Sequence, residues 1–312
     1  ALVFCLEMEA KDLLRKGSVN MLIQWFPGHM AKAKREALEK LKMVDLVIEL
    51  LDARLPESSR NPLIDDIIGN KPRLIVLNKA DLADKTATKE WVEYFKQDNK
   101  AQRAVSISTL NNKDVENIKR ELKAMMAHKT QAMIAKGVKP RAIRLMILGI
   151  PNVGKSTLIN KLMQKNRAQT GNRPGVTKGQ QWLKIGGDFE LLDTPGILWP
   201  KFEDQLIGQK LALTGAIKDT VFHKDDVALF ALRHFMQYYP GRLQAFYKVD
   251  EKEFEGAVPD LLMELTTKLR FGEDYSRASE RIIFDIRGGK LGPYTLDQVP
   301  VKLAEAGEDL AE

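Results

Sequence analysis

Three short stretches of this sequence carry residues that could do chemistry. Gly149-Ile-Pro-Asn-Val-Gly154-Lys155-Ser156 places two glycines five residues apart and follows the second with Lys and Ser. Glycines at that spacing let backbone N–H groups turn toward phosphate oxygens, and a helix starting there adds its dipole. Lys155 is placed to neutralise the β/γ-phosphates and Ser156 to ligate Mg²⁺, with Asn152, Val153, Gly154 and Thr157 completing the cradle. The purine is chosen elsewhere. In Asn78-Lys79-Ala80-Asp81, the Asp81 carboxylate can accept from the N1–H and N2–H of guanine, a donor pair that adenine lacks. Asn78 would hold the loop or the base edge, and the Lys79 stem would cover the base plane. Alone, such a tetrad reads equally as a surface turn after a strand. Paired with a phosphate loop it points to GTP or GDP, and Asp81 argues against a P-loop ATPase.

The third stretch, Asp193-Thr-Pro-Gly196, suits a water-mediated Mg²⁺ contact from Asp193 and a γ-phosphate contact from the Gly196 N–H, although Asp, Pro and Gly are also plain turn formers. Thr177, in Arg173-Pro-Gly-Val-Thr177, is the candidate switch threonine, contacting metal and γ-phosphate only in the triphosphate state. Ser106 and Ser108, in Ser106-Ile-Ser108, would offer backbone contacts to guanine. The residue after Gly196 is Ile197, which cannot orient an attacking water through a hydrogen bond. Intrinsic hydrolysis is therefore expected to be slow. Help could come from His29, from K⁺ held partly by Asn152, or from a partner. His29 could equally be a surface or RNA-contacting histidine.

Apolar, β-rich runs at 45–53, 73–81, 104–108 and 144–150 alternate with helix-like stretches at 62–70, 86–97, 112–135 and 155–165. Continuous short apolar runs with helices between them predict a mostly parallel sheet covered on both faces. The runs 180–185 and 189–196, flanking Gly186-Gly187-Asp188, predict one antiparallel hairpin. The fold class is α/β, a P-loop GTPase three-layer sandwich. After about residue 205 the periodicity is helical only, as in the Val227, Phe230, Ala231, Phe235, Tyr238 stripe. The expected division is an extension over 1–20, a GTPase domain over 21–204 and a smaller all-α domain over 205–312.

The motif order is unusual: the guanine tetrad and the serine motif precede the phosphate loop. Joining the usual ends of such a domain and cutting before the strand at 45–53 produces this order, with 109–141 as the new join. Each strand can keep its place, because loop closure costs little. The cut also runs the second switch (197–204) straight into the C-terminal helices, so nucleotide state is expected to move them.

With that permutation, the residues Gln24-Trp-Phe-Pro-Gly-His-Met30, Asp52-Ala-Arg54-Leu-Pro56, Ser59-Arg-Asn-Pro62, Gly149 to Thr157 and Asp193 to Phe202 make the chain resemble the YlqF/YawG family of circularly permuted GTPases. The resemblance runs from about residue 21 into the C-terminal part and thins toward the end. It implies a cytoplasmic assembly factor for the large (50S) ribosomal subunit, with an RNA-binding helical C-terminal domain.

The 312 residues carry a net charge of +7 and a single cysteine, Cys5. An excess of cations favours acidic partners such as nucleic acid. One cysteine forms no intramolecular disulfide, and no apolar run reaches the roughly 18 residues of a membrane span. Scattered histidines give no structural zinc site. Arg277, Arg281, Arg287 and Lys290 cluster around the last helix as candidate RNA contacts, or as a solvated face. A free monomer is expected. Two functions follow: a switch that hydrolyses GTP to gate binding to rRNA, or an RNA-binding module that holds GTP with negligible turnover.

Overall fold

A computed structural model describes residues 35, 37–97, 103–163, 182–192, 204–254 and 256–300. Its centre is a six-stranded sheet built from β1 (Leu46–Asp52), β2 (Arg73–Asn78), β3 (Arg103–Ser106), β4 (Ile143–Leu148), β5 (Trp182–Ile185) and β6 (Phe189–Leu192). The spatial order is β3-β2-β1-β4-β6-β5. The β1/β2, β2/β3, β1/β4 and β4/β6 pairs are parallel, and β5/β6 is the antiparallel hairpin expected around Gly186. The fourth strand in the chain therefore lies between the first and the sixth, as the permuted motif order requires.

Helices α1 (Pro62–Ile68), α2 (Lys85–Lys96), α3 (Asn112–Ala135) and α4 (Lys155–Met163) connect and cover the strands. β1 is buried along its whole length. Its successive side chains point to opposite faces: Leu46, Ile48 and Leu50 join Ile118, Leu122 and Leu158 on one side, and Val47 joins Ile64, Ile67 and Leu148 on the other. On α2, Trp91 and Phe95 seal Leu51, Ile75 and Leu77.

β2 was expected to run through Asp81 but stops at Asn78. Lys79 takes a left-handed φ of 61°, which turns the chain out of the sheet before the tetrad is complete. β3 likewise ends at Ser106 rather than at 108.

Only helices follow Asp204 among the described residues: α5 (Gln205–Thr214), α6 (Lys224–Tyr238), α7 (Arg242–Tyr247), a 3₁₀ turn (Glu251–Phe254), α8 (Val258–Lys268) and α9 (Tyr275–Arg287). The Asp204 side chain accepts from the Leu206 N–H and starts α5. Packing does not break at this point. Leu211, Phe230, Phe235, Leu261 and Ile282 belong to the same apolar cluster as the β1 and α3 residues. Beyond α9, residues 289–297 return to the sheet: the Tyr294 N–H donates to Leu82 O (3.0 Å) and the Leu296 N–H to Arg54 O (2.6 Å).

Candidate nucleotide site

The parallel strands β1, β2, β3 and β4 all end on the same edge of the sheet, where ligands of open α/β folds bind. The loop after β4 runs from Gly149 to Gly154 and enters α4 at Lys155. Both glycines are sterically required. A Cβ on Gly149 would lie 2.5 Å from Leu50 O, so the loop can rest on β1 only without one. Gly154 has φ +101°, and a Cβ there would lie 2.3 Å from Asn78 Nδ2. Asn152 is also left-handed, at φ 59°. Consecutive left-handed and right-handed residues turn N–H groups into one concavity, the geometry that holds a phosphate. Lys155 Nζ lies 3.3 Å from Gly149 O, at the mouth of its own loop. Ser156 is half-buried in the first turn of α4, and Thr157 beside it is exposed.

The tetrad after β2 grips this loop directly. Asn78 Nδ2 donates to Val153 O (2.8 Å) and Lys79 Nζ to Asn152 O (2.8 Å), across 75 and 73 residues of sequence. Asn78 is buried and its Oδ1 has no protein partner among the described residues, an acceptor left for a ligand or water. Asp81 is exposed, three residues past the strand end. The loop after β3 joins them: the Ala80 N–H donates to Ile107 O (3.0 Å) and the Ile107 N–H to Leu77 O (2.8 Å). Ser106 is exposed. The Ser108 N–H, expected to face a base, instead donates to the Asp114 carboxylate (2.8 Å), and Ser108 Oγ accepts from the Leu110 N–H.

Behind the two loops lies a charge network that motif reading missed. Asp52, at the end of β1, accepts from Lys79 Nζ (2.8 Å) and from Arg54 Nε and Nη2 (3.0 and 2.8 Å). Burial works against charge on Asp52, but Arg54 and Lys79 outweigh it and hold the carboxyl well below the ordinary carboxylate range. Arg54 is buried too, and Asp52 more than offsets that cost, keeping the guanidinium charged. The same guanidinium donates to Tyr294 Oη (3.3 Å) and to Thr214 O (3.2 Å) at the end of α5. Next to it, Asn152 Nδ2 donates to Gly215 O (2.9 Å), the left-handed cap of α5. Ser58 and Lys210 add a second tie by both binding the buried Asp297 carboxylate. The only advance signal for this network was the Asp52-Ala-Arg54 triplet, which carried no assigned role.

The C-terminal arginines do not behave as a free basic patch. Arg287 is spent on Asp219 and on the Leu213 and Ala212 carbonyls, Arg281 and Lys290 both bind Asp285, and Arg277 stacks over Phe271. Of the four expected RNA contacts, three are held in internal ion pairs. Thr177, Asp193, Gly196, Ile197 and His29 lie outside the described residues. Ser156 is thus the one described member of the expected Mg²⁺ set, at the helix start where a phosphate-bound cation would meet it.

The sequence profile of the "50S ribosome-binding GTPase" family matches residues 144–254, a match that opens at β4 and the phosphate loop. Ribosome biogenesis GTPase A of Bacillus cereus is 52% identical over 299 residues, covering 93% of this chain and 98% of that protein. The protein of the same name from Bacillus licheniformis is 51% identical over 281 residues, covering 89% and 99%. A crystal structure of GNP-bound YlqF from T. maritima superposes with a TM-score of 0.60 at 26% identity, over 86% of this chain and 98% of that one.

Proposed function

This chain belongs to the ribosome biogenesis GTPase A (YlqF) family, and from that premise we propose that it is an assembly factor for the large ribosomal subunit, whose grip on pre-ribosomal RNA changes with the bound nucleotide. It is a GTPase that binds guanine nucleotides. In the proposed division of labour, Asp81 reads the guanine edge, Lys79 covers the base, and Ser106 closes the base side, with Ser108 fixing that loop through Asp114. The loop from Asn152 to Thr157 holds the phosphates, with Lys155 on the β/γ pair. Ser156, Thr177 and Asp193 share Mg²⁺, which neutralises phosphate charge during transfer, and the Gly196 N–H faces the γ-phosphate.

The observation that carries the switching proposal is the pair of bonds from Asn152 to Gly215 O and from Arg54 to Thr214 O. Through them the phosphate loop and the turn after β1, which Asp52 links to Lys79 of the base loop, both hold the end of α5, so rearrangement at the phosphates is transmitted into the C-terminal helices. Cosedimentation of the full chain with large subunits tests it: a non-hydrolysable GTP analogue should retain more protein on the subunit than GDP. Equal retention in both would refute nucleotide-gated binding.

Ile197 leaves the attacking water without an orienting side chain, so turnover is slow alone and rises on the subunit, with His29 and a K⁺ ion held partly by Asn152 as the supplementary groups. If subunit-stimulated turnover in His29→Ala equals that of the parent, the histidine has no such role. Equal rates in Na⁺ and K⁺ would remove the cation.

A further inference from the structure

The sheet has a second end, some 20 Å from the first by strand length. There the residues that lead into β1, β2 and β4 meet the second half of α3 around a cavity of about 620 Å³. Its lining holds Lys42, Lys71, Lys129, Arg141 and His128, against one carboxylate, Asp45. Burial alone would raise Asp45, but hydrogen bonds from Arg141, Lys129 and the Arg144 N–H outweigh it and bring its pKa to about 2. Asp45 is thus anionic and still outnumbered. Lys71 donates only to a backbone carbonyl, Val44 O, and Lys42 has no carboxylate partner among the described residues.

The helix beside this cavity is equally one-sided. The buried residues of α3 are Val115, Ile118, Leu122 and Met126, so none of its last nine residues is buried, although Lys129 among them reaches Asp45 (2.6 Å). From 122 to 141 the chain has five Lys or Arg and neither Asp nor Glu. Lys136 and Lys139 are exposed and unpaired among the described residues, and Ile134 and Val138 beside them are 59% and 51% exposed. An ordinary solvated face mixes both signs of charge. Here cations dominate: Asp45 and Asp188 pair with Lys129, Arg141 and Lys123, while Lys42 and Lys71 on the cavity wall and Lys136 and Lys139 just past α3 have no carboxylate partner among the described residues.

We propose that this end of the molecule, the cavity together with the distal half of α3, is a binding site for the phosphate backbone of duplex RNA. The proposal rests on the ribosomal reading above for its biological partner. The chemistry selects the duplex on its own grounds. Single strands are held by stacking bases on aromatic rings, and neither the cavity lining nor residues 109–141 contain Phe, Tyr or Trp. A-form RNA presents its phosphates and 2′-hydroxyls without needing such platforms. Because the site lies at the strand ends opposite the phosphate loop, its affinity does not depend on whether GTP or GDP is bound. It is a constant anchor, and the switching contacts lie elsewhere.

The test uses the full chain, a fluorescent RNA duplex of about 20 base pairs and arbitrary sequence, and a Lys42→Glu/Lys136→Glu/Lys139→Glu variant. At about 0.1 M salt the variant should bind the duplex at least about tenfold more weakly, with a log–log salt slope shallower by about 3. Its GDP affinity and melting temperature should match the parent's, and the three Lys→Arg changes should retain binding. Parent-like duplex binding by the Glu variant would overturn the proposal. So would a single strand of equal length binding as tightly as the duplex, or a tenfold dependence on nucleotide. Cosedimentation separates this from the assembly role. If both proteins pellet equally with large subunits, the surface is wrong and the assembly role stands. If neither pellets but the Glu variant still loses the duplex, the surface stands and the assembly role falls.

Discussion

Arg54 and Lys136 carry the same formal charge at opposite ends of one sheet, and they have opposite uses. Arg54 is 2% exposed and its guanidinium is divided among Asp52, Tyr294 and Thr214. Lys136 is exposed at the end of α3 with no carboxylate beside it among the described residues. At the nucleotide end, charge is consumed in holding loops together. At the far end it remains available to a partner. Net charge counted from composition does not separate the two, which is why Arg281, Arg287 and Lys290 look in sequence like Lys42, Lys136 and Lys139.

The contrast predicts unequal costs of substitution. The largest belongs to Asp52→Ala, which leaves Arg54 buried without its counter-ion and should cost about 3–5 kcal/mol of unfolding free energy. Chemical denaturation would measure it, and a cost below about 1 kcal/mol would mean that the network contributes little to holding the end of α5.

A somewhat smaller effect is expected of pH. His234 on α6 lies 3.2 Å from Thr295 O, where burial, followed by the nearby Lys210, lowers its pKa to about 4. The folded protein therefore keeps it neutral while the unfolded chain takes up a proton near the ordinary value of about 6.5. Stability from this group is complete above that value and is lost as pH falls toward 4, by up to about 3 kcal/mol. His234→Gln should flatten the difference across that window. A parent melting curve identical at pH 7 and pH 4.5 would contradict the assignment.

Smaller still is Gly154→Ala. Its Cβ would displace the Asn78 amide from Val153 O while the backbone stays left-handed. Strain of roughly 1–3 kcal/mol should appear as a ten- to hundredfold loss of GDP affinity in a fluorescent-nucleotide titration. Unchanged affinity would show that the two loops need not touch.

Much of this architecture was legible in advance, because it depends on local patterns. Short apolar runs gave the strands, the Gly-Gly-Asp turn gave the hairpin, and motif order pointed to a permuted sheet in which each strand keeps its place. Two kinds of feature were not legible. Lys79 carries a left-handed backbone without the glycine that usually signals one, so the end of β2 was read too late. The ties between Arg54 and Thr214 and between Ser58 and Asp297 span 160 and 239 residues, and no periodicity marks such partners. Pairing of the C-terminal arginines likewise depends on which acids the fold brings to them.

β1, β2 and β3 are consecutive in the chain and adjacent in the sheet. During synthesis they leave the exit tunnel together, joined by short crossovers, and can fold as a block before β4 has been translated. The half of the pocket that identifies the base can thus be assembled first, with the edge of β1 open to receive the phosphate-holding half. In the unpermuted order the phosphate loop would emerge first. The rearranged gene therefore leaves the finished sheet intact and reverses the order in which its two halves are made.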